Sequence, residues 1–147
     1  MQIDPYPPAP LPQADVGAMP SGDDTERQRQ SDTVRGRCIL AREIAGAMMD
    51  VPVADIARPQ RSKAGICEAR HVAMYLAHVI FQLSLTAIAV DFGRDRTSVA
   101  HAVRRIEDQR DDDAFDRLLC RLERLATSCD ELLQRAERAH PEAADDC

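Results

Sequence analysis

The sequence predicts an all-α protein: a small helical bundle containing a helix-turn-helix, followed by a long C-terminal amphipathic helix and preceded by a disordered tail. Three observations carry that expectation. Aromatic residues make up 3% of the 147 residues and tryptophan is absent, so a core must be built from Leu, Ile, Val, Ala and Met. That composition suits helices better than sheets, which draw on aromatic and β-branched side chains. Apolar residues recur at three- and four-residue steps, and signals of strand alternation are absent. Three regions are expected: a Pro-rich acidic tail at 1–31, a helical domain at 32–110, and an acidic helix and tail at 111–147.

The tail is rich in Pro, Gly, Gln and acids and cannot bury enough apolar surface to offset chain entropy. Its prolines (Pro5, Pro7, Pro8, Pro10, Pro12) also suit a docking tail. A first helix is expected from about Val34 to Met49, capped by Asp32 or Thr33, with Cys38, Ile39, Ile44, Ala45 and Met48 as its apolar stripe. Val51-Pro52-Val53-Ala54-Asp55-Ile56 reads as a tight turn and one helical turn, with Val51, Val53 and Ile56 inward. A basic loop, Arg58 to Gly65, follows. A longer helix from about Cys67 to Gln82 repeats Ala69, Val72, Ala73, Leu76, Val79 and Ile80 at helical spacing. Ser84 caps a short helix with Leu85, Ile88, Ala89 and Phe92 facing the core, and Gly93 suits the left-handed position that ends it. Asp95 offers a carboxylate to the amides that open the next helix, whose buried stripe is Val99, Ala102, Val103 and Ile106. In the last segment Phe115, Leu118, Leu122, Leu125, Cys129, Leu132 and Ala136 follow a heptad seam. Such a seam serves either a homodimer through residues 113–138 or packing on the chain's own domain.

Net charge is −6, which taken alone argues against a nucleic-acid partner. Its distribution reverses that reading, because residues 35–110 carry +4 between flanks of −4 (1–34) and −6 (111–147). Cys38, Cys67, Cys120, Cys129 and Cys147 form no C-x-x-C pair, and the histidines lack metal spacing, so reduced thiols and no metal are expected. Lys63 is the one lysine, and no G-x-x-x-x-G-K-[ST] loop exists to cradle a nucleotide. No nucleophile elbow appears either. An enzyme, a cofactor and a membrane span are therefore not expected, and neither is a secretory signal; the expected location is the cytoplasm, associated with the nucleoid.

The most informative stretch is Phe92 to Glu107. A turn leads into a helix whose first residues are Arg94, Asp95, Arg96, Thr97 and Ser98 and whose continuation is apolar on one side. A helix that reads the major groove presents short or forked polar side chains from its first turn. Arg96 can grip guanine in bidentate fashion, Asp95 can accept from cytosine, and Thr97 offers a methyl to thymine. Ser98 and the open amides suit a phosphate. Arg61 and Lys63, in a loop where no core needs them, can reach the same duplex. Arg104, Arg105 and Arg110 extend the positive surface.

These residues make the chain resemble the C-terminal, TrpR-like DNA-binding domain of the bacterial replication initiator DnaA. The match is carried by Arg61-Ser62-Lys63, by Ala69-Arg70-His71-Val72-Ala73-Met74-Tyr75-Leu76, and by Ser84-Leu85 through Ile106-Glu107, over about residues 36–110. The resemblance implies that Asp95, Arg96 and Thr97 read bases and that Leu85 and Thr86 lie where the preceding helix touches DNA. It implies a minor-groove role for Arg61 or Lys63, and backbone contacts for Arg70, His71, His78 and Ser98. This sequence departs from the family in having one glycine before Arg94, an arginine at position 96 where a histidine is usual, and Ser98 where a second threonine is usual. The family's ATPase domain has no counterpart here, which implies a freestanding reader of initiator-type boxes in double-stranded DNA, acting as a transcriptional regulator or a modulator of replication initiation. The competing expectation is a protein-interaction module that keeps the scaffold, binds a partner through its last helix and has little DNA affinity.

Overall fold

The structure, a computed structural model, describes residues 21–58 and 63–139. Among the described residues it contains six helices and no strand: α1 (Gly22–Met49), α2 (Val53–Ala57), α3 (Ala64–Val79), α4 (Leu85–Phe92), α5 (Arg96–Gln109) and α6 (Asp113–Ala139). No helix is long and apolar enough to cross a membrane among these residues.

The bundle is built around α3, which packs on α1, α2, α4, α5 and α6. Its residues Val72 to Ala77 are all buried, so this helix has no solvent face through its middle. Small residues make that possible: Ala69, Ala73 and Ala77 are fully buried, and they let the neighbouring helices approach closely. Around α3 close Cys38, Ala41 and Ala45 of α1, Ile56 of α2, Ile88 and Phe92 of α4, and Val99, Ala102 and Ile106 of α5.

The α1–α2 corner is set by Gly46. A Cβ there would lie 2.8 Å from the Val51 carbonyl oxygen and 3.0 Å from Val53 Cγ2, so no larger residue fits without displacement. The Gly46 carbonyl accepts from the amides of Asp50 and Val51 as the chain turns through a left-handed Asp50 (φ 55°). A second tie joins α1 to α4. Arg42, buried, donates to the carboxylate and carbonyl of Asp91 and lies 4.1 Å over the Phe92 ring. Cys38 sits beside this pair, and burial, with Asp91 behind it, pushes its thiol up to about 12. It is an unreactive core thiol.

Several expectations are corrected. Helix α1 begins at Gly22, so residues 22–31, expected to be disordered, are helical. No burial drives this extension; its residues are exposed. It is held by local terms instead: Asp23 and Asp24 at the positive helix end, the Arg27–Asp23 ion pair at 2.6 Å, and the Gln28–Asp32 hydrogen bond at 3.0 Å. The earlier part of the expected tail, with its prolines, lies outside the described residues. Ile39, expected inward, is 45% exposed, and Val79 is 38% exposed where α3 ends. That helix stops at Val79, short of Gln82, because Gln82 takes a left-handed φ of 54° to turn into α4.

Helix α6 divides its apolar stripe. Leu119, Leu122 and Ala126 are buried against the body, Leu118 and Cys129 are half-buried, and Leu125 and Leu132 stand 42% and 62% exposed. The buried direction thus runs through Leu119 and Ala126, which the heptad reading omitted. Asp112 opens the helix by accepting from the Phe115 amide at 2.8 Å.

Candidate nucleic-acid interface

The helix-turn-helix is α4, a three-residue turn and α5. Ser84 caps α4, its hydroxyl accepting from the Ala87 amide at 3.1 Å. The turn closes on Gly93, left-handed at φ 61°. The amides of Gly93 and Arg94 donate back to Val90 and Ala89 in the paired pattern that ends a helix on glycine. A single glycine therefore suffices for this turn.

Asp95 occupies the cap position of α5 but makes no side-chain cap hydrogen bond, contrary to the expected role. Among the described residues its carboxylate has no hydrogen-bond partner, and the first-turn amides stay open for an outside acceptor. Asp95, Arg96, Thr97 and Ser98 are all exposed, while Val99, Ala102, Val103 and Ile106 anchor the helix beneath them. One end of α5 is fixed in the core and its other end presents four polar side chains in succession.

Beside that first turn lies a pocket of about 150 Å³ lined by Cys67, Arg70, His71 and Met74 of α3 and by Arg94 and Ser98. Arg94 Nε is buried there without a partner among the described residues. His71, half-buried, is held below its ordinary pKa of 6.5, first by burial and then by the positive charges of Arg105, His101, Arg70 and Arg94. None of the causes acting on His71 is an acid. A pocket with this surplus of positive charge is complementary to an anion of phosphate size.

Arg70, expected at the backbone of a duplex, is also engaged by the protein itself. It is 4% exposed; its Nε donates to the Ile56 carbonyl at 2.9 Å and its Nη2 to the carbonyls of Asp55 (3.1 Å) and Arg58 (2.7 Å). Burial lowers its pKa, with Arg94 adding to the effect. The side chain holds α2 and the start of the basic loop against α3, and lends the pocket its field from behind. His78 is likewise engaged: its Nδ1 lies 2.9 Å from the Leu83 carbonyl, which can only accept, so Nδ1 carries a hydrogen and donates it there.

Lys63 is exposed just before α3, and Thr86 is exposed in the first turn of α4. Leu85 is half-buried against the core. Arg61 lies outside the described residues. Arg110 is removed from the expected cationic surface, because it bonds Asp116, Glu123 and Tyr75. Sequence reading missed His101 and Arg105 as neighbours of His71, although Ser98, His101 and Arg105 follow three- and four-residue steps along one side of α5. That spacing was the available signal.

A wider cleft of about 600 Å³ lies between α1 and the α3–α4 turn, lined by Arg27, Val34, Leu83, Ala87 and Val90 among others. It brings no site residue in. Among the described residues no three His, Cys, Asp or Glu side chains gather as a metal site would need.

A family model described as the bacterial dnaA protein helix-turn-helix matches residues 40–106. The chain is similar to the chromosomal replication initiator protein DnaA of Burkholderia multivorans, at 43% identity over 86 residues covering 56% of this chain and 16% of that protein. The DnaA of Paraburkholderia phymatum matches with the same identity and coverage. The chain thus spans 16% of the length of the curated relatives it matches. Among solved structures it is similar to one described as a DNA replication initiation factor, with a TM-score of 0.64 and 32% identity over 71% of this chain and 32% of that one. Another is described as replication initiator DnaA bound to AMPPCP and single-stranded DNA, with a TM-score of 0.62, 30% identity and the same coverage.

Proposed function

We propose that this chain, whose residues 40–106 are a bacterial DnaA helix-turn-helix domain, binds double-stranded DNA and reads its sequence. The observation that carries this reading is the exposed first turn of α5 standing beside a pocket lined by Arg70, His71 and Arg94, with no acid in its lining among the described residues. In the proposed complex α5 enters the major groove. Arg96 grips a guanine, Asp95 accepts from a cytosine amino group, and Thr97 packs its methyl on a thymine. Ser98, His71 and Arg94 close around one backbone phosphate, with Thr86 and the α4 amino end taking another and Leu85 seated beneath them. Lys63, and Arg61 two residues before it in sequence, are the cationic residues proposed to follow the duplex alongside.

On this reading the chain is not an enzyme and takes no nucleotide. It acts in the cytoplasm, on the nucleoid, as a transcriptional regulator or as a modulator that competes for initiator-type boxes. The test is a fluorescence-anisotropy series of the full chain on duplexes carrying such boxes and on scrambled duplexes, across a range of salt. Preference for the boxes, with affinity falling as salt rises, is expected. Equal, weak affinity for both duplexes overturns sequence-specific reading.

A further inference from the structure

Four of the six acids of α6, Asp116, Glu123, Asp130 and Glu137, return every seven residues, and all four are engaged with the body. Arg110 holds Asp116 at 2.8 Å and Glu123 at 2.7 Å, with Tyr75 donating to the same Glu123 oxygen. Arg37 holds Asp130 at 3.0 Å and Glu137 through two bonds of 3.2 Å. The arginines of the helix lie elsewhere. Arg117, Arg121, Arg124, Arg135 and Arg138 fall on one three- and four-residue ladder, interrupted by Ser128 and Glu131, and all five are exposed. None of them has an ion pair among the described residues. Between the arginines and the buried direction runs Leu118, Leu125 and Leu132, increasingly exposed toward the carboxyl end. The segment with the most acidic composition therefore turns a cationic, leucine-bearing face outward.

We propose that this outer face of α6 docks an acidic amphipathic helix of a partner protein. Leucines seven residues apart are anchors for a helix laid alongside, and flanking arginines select carboxylates. A recess of about 420 Å³ between α1 and α6, lined by Gly36, Leu40 and Leu133 among others, gives an apolar side chain of the partner a place to enter. A second copy of the chain fits poorly. Leu122 is buried against the body, so an outward seam through Leu118, Leu125 and Leu132 takes Arg121, Ser128 and Arg135 as its alternate positions. A parallel pairing sets each arginine against itself, and an antiparallel pairing centred on Ser128 sets Arg121 against Arg135. A nucleic acid has no use for the leucines, and a membrane surface would find no bulky aromatic on this face.

The test measures binding of the full chain to a designed peptide helix with leucine at its seam and glutamate flanking it. A second peptide carries lysine in place of glutamate. The glutamate peptide is expected to bind saturably and the lysine peptide not to bind. Arg121→Glu with Arg124→Glu should weaken the first by roughly tenfold or more and confer binding of the second. Leu132→Ser, at a position 62% exposed, should abolish binding with the thermal melt unchanged, which separates docking from folding. Failure of either peptide preference overturns the proposal. So does self-association of the chain abolished by Leu132→Ser, which assigns the face to a second copy. Loss of duplex binding in the Arg121/Arg124 variant, or binding to phosphatidylglycerol vesicles without peptide binding, assigns it to nucleic acid or to lipid.

Discussion

Arg96 stands at the start of α5 with its side chain in solvent, whereas Arg70 is buried and gives its hydrogens to three backbone carbonyls. Substituting each by alanine should therefore fail in different ways. Arg96→Ala is expected to cost about 1–3 kcal/mol of binding on the preferred duplex, relax choice at one base pair and leave the melt unchanged. Arg70→Ala is expected to lower folding stability by on the order of 3 kcal/mol, since three carbonyls lose a charged donor, and to weaken all duplexes alike. Denaturant melts and anisotropy on matched and scrambled duplexes check both. His71 gives a pH prediction. Its folded pKa lies below 6.5, so as pH falls below that value the unfolded chain takes up a proton that the folded chain resists, and stability declines. A phosphate in the pocket offsets the surrounding arginines and raises the pKa in the complex, so DNA affinity should rise as pH falls through the same range. His71→Gln should flatten the affinity profile measured from pH 8 to pH 6. At this scale the exposed first turn was legible because its chemistry is local. The fates of Arg70 and Arg110 were not, because their partners lie on other elements.

At the scale of elements, the reading helix depends on the short helix before it. Ser84→Ala removes the α4 cap and should cost about 1 kcal/mol. Gly93→Ala meets no steric neighbour but must hold a left-handed φ of 61°, and should cost roughly 1–2 kcal/mol while disturbing the angle between α4 and α5. Both losses should appear in chemical melts and, for Gly93→Ala, in reduced discrimination between boxed and scrambled duplexes. Cap and turn residues made these boundaries readable in advance, as did the period of Val99, Ala102, Val103 and Ile106. Periodicity failed where two neighbours compete for one helix. The α6 stripe was read as a single seam, but its buried side is shifted to Leu119 and Ala126 by the pull of Arg37 and Arg110 on the acids alongside. The α1 extension was hidden for another reason: ion pairs and helix formers sustain it without any apolar pattern.

Across the whole molecule, α6 is the counterweight that keeps Arg110 away from the cationic surface. Removing residues 113–139 would take Glu123 from Tyr75 and strand Arg110 and Arg37 without acids. The truncated chain is expected to melt at least about 5 °C lower, as a loss of about 1 kcal/mol would produce in a domain of this size. It should also bind duplexes with less sequence preference and a steeper dependence on salt, because the freed arginines add nonspecific phosphate contacts. Calorimetry and a salt titration of the full and shortened chains read both outcomes. The distribution of charge along the sequence foretold a basic centre between acidic flanks, but how the last flank faces could be seen only with its partners in place.

The crowding at Gly46 makes that residue a remote lever on recognition. A single methyl there has to wedge the corner apart, carrying with it Asp55 and Ile56, whose carbonyls anchor Arg70. Arg58 would lose its tie to α3 while every charge stayed as before. Gly46→Ala should thus yield a protein of near-native helicity that has lost grip on any duplex, an outcome that circular dichroism and anisotropy together can distinguish from unfolding.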